Sequence, residues 1–102
     1  MKVLIFKTLE DQAKGLQFRK EIEPDVLFVF PYIKPGDGFH SRNVPEAFDL
    51  AFLSQDMRVL RAVRVDPPYQ TDVAPSGTFM AIESKAGNLE KWGFLNGDRV
   101  SF

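Results

Sequence analysis

The chain contains no cysteine, one histidine, one tryptophan and no long apolar run. Without thiols there is neither a disulfide framework nor thiolate chemistry, a pattern that fits a reducing compartment and is also compatible with a secreted or virion protein. With His40 as the sole imidazole, no cluster of soft or imidazole ligands is available for zinc, copper or iron, so neither a metal nor another cofactor is expected. The N-terminal Met1-Lys2-Val3-Leu4-Ile5-Phe6-Lys7 is too short for a signal-peptide core, and no segment approaches the ~20 apolar residues that cross a bilayer as a helix. The most apolar stretch, Val26 to Phe30, stops at Pro31. No membrane association is expected. Thirteen basic residues balance fourteen acidic ones, so no global field steers the protein toward nucleic acid. An aromatic-rich RNA-binding signature is absent as well, and no nucleic-acid partner is expected.

What is present is phenylalanine, ten of them in 102 residues, together with a length at which one core closes without staples. The pattern predicts a single domain over residues 1–102. Neither internal repeats nor low-complexity segments interrupt it.

Short strands are predicted near 2–7, 26–30, 39–43, 48–53, 57–65, 78–83 and 98–102, separated by Pro, Gly, Asp and Asn clusters. The fold class that follows is mainly β: a small barrel or sandwich of about seven mostly antiparallel strands with one or two short helices. Thr8 can cap a helical turn that runs to Lys14 and ends at Gly15, with Asp11 as a weaker capping-box partner. A second turn is predicted from Asn88 to Trp92, ending at Gly93. Val26-Leu27-Phe28-Val29-Phe30 is apolar at every position, so both of its faces should be covered, as in a central strand. In residues 48–53, Phe48, Leu50 and Phe52 share one face while Asp49, Ala51 and Leu53 share the other. The stretches 34–38 and 66–77 read as loops, and Asn96-Gly97 fits either a hairpin turn or a loop.

Several ordered segments now carry a resemblance. Gly15-Leu16-Gln17-Phe18-Arg19 is followed by Val26 to Phe30, then by Phe39-His40-Ser41-Arg42-Asn43 and Phe48-Asp49-Leu50-Ala51-Phe52-Leu53. Pro67-Pro68, Ala81-Ile82-Glu83, Ala86-Gly87 and Gly97-Asp98-Arg99-Val100 complete the set. In order and spacing it resembles the domain-of-unknown-function family 192, from about residue 13 to residue 100. The resemblance implies a small β-rich domain and brings no established chemistry. The chain departs from the family pattern at Gln17, where a Met is usual, at His40-Ser41, which replaces a Trp-Met pair, and at the early Pro45. A pocket lined by the larger residues is therefore expected to be reshaped.

Catalytic patterns are missing. Neighbouring His40 and Ser41 would point to opposite sides of a strand, and nothing selects Ser54, Ser76 or Ser84 as a nucleophile. Gly36-Asp37-Gly38 lacks the Lys-Ser/Thr and the helix of a phosphate loop. Arg58 and Arg64 share a strand face that Arg61 does not, which predicts individually solvated or paired charges. No catalytic residue is assigned.

Arg19, Arg42, Asn43, Asp49 and Glu83 stand out as polar residues within or beside apolar segments. An unpaired buried polar group costs on the order of 1–3 kcal/mol, and a charge more, so these residues must find partners. The bland reading is a network that pins loops to the sheet. The functional reading is a polar pocket for an anionic or sugar-like ligand, with Arg and Asn donors and a carboxylate acceptor. The short Val44–Ala47 connection predicts that strand 39–43 pairs with strand 48–53, bringing Arg42 or Arg19 to Asp49.

Three functions from different classes follow. Strong fold signals without catalytic ones favour a non-catalytic interaction or structural module, part of a larger assembly such as a phage or surface structure, with a protein partner or self-assembly. The others are a small-ligand binding domain and a small hydrolase using Asp49 and Glu83 as paired carboxylates. A cytoplasmic or virion-associated location is the matching expectation.

Overall fold

The computed structural model describes residues Met1–Phe102 and has the order β1 (Lys2–Ile5), α1 (Leu9–Lys14), β2 (Val26–Pro31), β3 (Gly38–His40), β4 (Phe48–Leu53), β5 (Val59–Val65), β6 (Thr71–Val73), β7 (Met80–Lys85) and α2 (Asn88–Lys91). Five strands form one sheet in the order β1-β2-β7-β4-β5, and β3 pairs with β6 in a separate two-stranded ribbon. The fold is mainly β and sandwich-like, and its five-stranded sheet does not close into a barrel. Every named pairing is antiparallel except β1–β2, which is parallel and is bridged by α1.

Alternation within the central strands sorts their side chains onto two covered faces. Phe28, Phe30, Phe48, Leu50, Phe52 and Ala81 face one core, beneath the segments carrying Leu16, Ile22, Ile33 and Val44. Phe39 of β3 packs against that core, and Ala74, just after β6, belongs to it. Leu27, Val29, Ala51, Leu53 and Ile82 face the other, covered by Leu89 of α2, Phe94 and Val100. Double coverage explains why β2 and β4 are apolar at nearly every position.

α1 begins as the sequence predicts: the Thr8 hydroxyl accepts the Asp11 amide at 3.0 Å, and Gly15 ends the helix with a positive φ of 52°. The second helix lies where expected, with Trp92 at its C-cap.

Three strand expectations are corrected. Residues 98–102 form no strand; they make only a bridge from Arg99 to Arg58, with the Val59 amide donating to Asp98 and the Val100 amide to Met57. Thr71–Val73, read as loop, is β6. Strand 39–43 stops at His40, because Asn43 takes a left-handed φ of 61° that a strand cannot hold. β3 consequently pairs with β6, and β4 lies between β5 and β7. Asn96-Gly97 is a loop whose Asn96 side chain accepts the Ala62 amide at 2.7 Å, covering part of the β5 edge.

Candidate functional site

Of the five singled-out residues, the structure gives four their own local partners. Arg19 forms a two-pronged ion pair with Glu23 at 2.7 and 2.8 Å and lies over the Phe28 ring. Arg42 stacks on Tyr69, with its guanidinium carbon 4.8 Å from the ring centroid. Asn43 gives its carbonyl to the Phe18 amide and its side-chain amide to Gln17, a long contact at 3.4 Å. The expected pairing of Asp49 with Arg42 or Arg19 is therefore corrected, since β4 has β5 rather than β3 beside it. Asp49 Oδ2 instead accepts the amides of Gly87 at 2.8 Å and Leu89 at 3.2 Å, and Arg64 of β5 lies 3.4 Å from Oδ1. It is a structural clamp on the start of α2. Arg58, Arg61 and Arg64 are individually engaged, by the Gly97 carbonyl, by Asp72 and by Asp49.

Glu83 is the exception. Its register partners are Phe28 on β2 and Leu50 on β4, which puts its side chain on the phenylalanine-rich face. Only 3% of the residue is exposed, yet its carboxyl forms no hydrogen bond and no ion pair with any protein group. Every fully occluded side-chain polar atom in the protein has a partner. The unpartnered Glu83 carboxyl therefore keeps contact with the space beside it, a cavity of about 250 Å³. Burial pushes this carboxyl up from 4.5 to about 8, because no nearby cation or donor offsets the loss of water. At neutral pH Glu83 is mainly a protonated acid that can both donate and accept.

The walls come from elements far apart in sequence. Phe30, Phe39 and Phe48 supply aromatic surface, and Leu16, Ile33 and Val44 supply aliphatic surface. Phe30 and Phe39 meet edge to face at 5.3 Å. The polar lining comprises Gln12, Lys14 and Gln17 beside Asp37 and His40. Most of these are already positioned: Gln12 donates to the carbonyls of Phe6 and Pro31, Asp37 accepts the Lys34 amide, and His40 Nδ1 accepts the Arg42 amide at 3.0 Å. The last bond leaves Nε2 to carry the proton of the neutral ring. No serine, threonine or cysteine lines the cavity.

Glu83 was visible in the sequence as an acid in an apolar strand, whereas its aromatic surroundings were not. Gln17 and His40 did carry a signal, since both occupy positions where the family pattern has a larger apolar residue, and both line the cavity. Asp49 and Glu83 do not form a pair. Glu83 is in register with Leu50, so Asp49, one residue along, faces the opposite side of the sheet. The Asp49–Glu83 carboxylate pairing raised as a possibility from the sequence is corrected on that ground, because the two acids cannot flank one bond.

The family model for DUF192, described as Uncharacterized ACR, matches residues 1–102. The chain belongs to the DUF192 family. Among solved structures, it is similar to a protein of unknown function from Novosphingobium aromaticivorans DSM 12444. That pair has 28% identity and a TM-score of 0.74, covering 98% of this chain and 74% of the other. It is also similar in fold to a putative transcription regulator from Sinorhizobium meliloti 1021, with 20% identity, a TM-score of 0.72, and coverage of 95% and 78%. No curated protein matches the chain. No helix is long and apolar enough to cross a membrane.

Proposed function

We propose that this DUF192 domain is a non-catalytic small-ligand binding domain whose site is the cavity above Glu83. The observation that carries the reading is Glu83 itself, a buried acid that no protein group satisfies in a space with three aromatic walls. Natural cores pair their buried polar groups, and a carboxyl left open to a cavity is the arrangement that a ligand completes. A binding role rather than catalysis is supported by the lining, which holds no serine, threonine or cysteine and whose second acid, Asp37, already accepts the Lys34 amide. At about 250 Å³ the cavity lies just under the roughly 300–1,000 Å³ of sites for drug-sized molecules, so a small ligand fits best. The test is a fragment library followed by amide chemical shifts. Hits should cluster on Leu16, Phe39, Val44 and Glu83; hits confined to other surfaces would overturn the assignment.

A second reading, an interaction module that self-assembles, is supported by β1. This edge strand leaves Val3, Leu4 and Ile5 exposed at 44%, 43% and 47%. The Lys2 and Phe6 amides donate toward β2, so by alternation those of Val3 and Ile5 face outward, as in a strand ready to pair. A second copy of β1 would cover both the backbone and the apolar side chains. Light scattering over a concentration series tests this: a dimer broken by Leu4→Lys is expected, and a monomer throughout contradicts it.

A further inference from the structure

We propose that the Glu83 cavity takes a small organic ammonium ion, a cation whose charged nitrogen is joined to a short apolar body. The inference rests on the reading of this cavity as a ligand site and adds the class of ligand. The unpartnered group is an acid, so an anionic ligand would meet a like charge or force a proton to remain between two carboxyls. A divalent metal needs several oxygen ligands, and no group of three or more acidic or imidazole side chains in the protein stands close enough together to hold one. Asp37, the other carboxylate of the lining, already accepts the Lys34 amide at 2.9 Å.

An organic ammonium satisfies both halves of the site. Its N–H groups or its positive charge compensate Glu83, while Phe30, Phe39 and Phe48 offer aromatic surface that attracts a cation and covers its hydrocarbon. Leu16, Ile33 and Val44 extend the apolar wall. No resident cation does the same work. Lys14 is exposed and makes no ion pair, and Arg19 is committed to Glu23. With a liquid share of about 30 Å³ per water, the cavity has space for roughly eight waters' worth of ligand, the scale of a butylamine or a slightly larger body.

Binding has a defined proton balance. In the free protein Glu83 is mainly the neutral acid at neutral pH, and an incoming ammonium favours the carboxylate. One proton therefore leaves to solvent as the ion pair forms, and no covalent bond changes. The other titratable groups that face the cavity are Lys14 on α1, Asp37 before β3 and His40 on β3.

Three probes of matched shape test the proposal by amide chemical-shift titration: n-butylammonium, n-butanol and butyrate. The expected result is that n-butylammonium shifts Phe39, Val44 and Glu83 and binds at least about tenfold more tightly than the other two. Its affinity should rise at least about tenfold from pH about 6 to about 8, as Glu83 loses its proton more readily. Glu83→Gln should abolish both the preference and the pH trend. If n-butanol shifts the same residues as strongly, or the pH trend survives in Glu83→Gln, the ammonium proposal is overturned while the ligand site stands. Shifts at the cavity by none of the three probes would overturn the proposal directly, and the fragment library separately decides the fate of the site.

Discussion

Asp49 and Glu83 lie on adjacent strands and face opposite sides of one sheet, because Glu83 is in register with Leu50 rather than with Asp49. The two buried acids divide their roles accordingly. Asp49 is held by the Gly87 and Leu89 amides at the start of α2, whereas Glu83 opens on a cavity with no partner.

Removing the Asp49 carboxylate should leave the Gly87 and Leu89 amides without their acceptor. Asp49→Ala is expected to cost roughly 2–3 kcal/mol in urea melts. Arg64→Met should cost under about 1 kcal/mol, since Arg64 is 52% exposed and 3.4 Å from the carboxylate. Arg42→Met should add to Asp49→Ala without rescuing it, because Arg42 stacks on Tyr69 instead. Rescue by Arg42→Met would contradict the assignment of partners.

Ser41 ties the β3–β6 ribbon to the chain that follows β5. Its fully buried hydroxyl donates to the Asp66 carbonyl and accepts the Gln70 amide, both at 2.8 Å. Ser41→Ala strands both groups and is expected to lower stability by roughly 1–3 kcal/mol. Amide exchange should rise most at Gln70 and Thr71; uniform change across the sheet would speak against a local tie.

Much of the fold was legible because local signals agreed. Val26 to Phe30 is uniformly apolar, which demanded cover on both faces, and Thr8 with Gly15 delimited α1 by capping chemistry. Strand neighbours were a different matter. The short Val44–Ala47 link suggested that β3 and β4 pair, but the left-handed Asn43 turns the chain away and β7, far off in sequence, takes the place beside β4. β6 is three residues long and follows Pro67-Pro68, too short for alternation to register. The site suffered most from this. Glu83 and Asp49 were each visible as acids in apolar strands, but which one would be left unpaired depended on pairings no local pattern encodes. The cavity itself joins residues from Gln12 to Glu83.

Stability should depend on pH through Glu83. Unfolded, the side chain titrates near 4.5; folded, near 8. Between those values the folded state holds a proton that the unfolded state has lost, so stability is greatest below about 4.5 and falls as pH rises toward 8. The slope from this group is up to about 1.4 kcal/mol per pH unit, flattening above 8. Urea melts across the window should show Glu83→Gln with a visibly flatter profile. Parallel profiles for the two proteins would mean that Glu83 does not carry the effect.

The titration of the Glu83 side-chain carboxyl carbon, followed by NMR in the free protein, addresses the unpaired acid most directly. A midpoint near 8 is expected, moving down when n-butylammonium is added. A midpoint near 4.5 in the free protein would mean that solvent or a protein group already satisfies the carboxyl, and the cavity would lose the feature that makes it a ligand site.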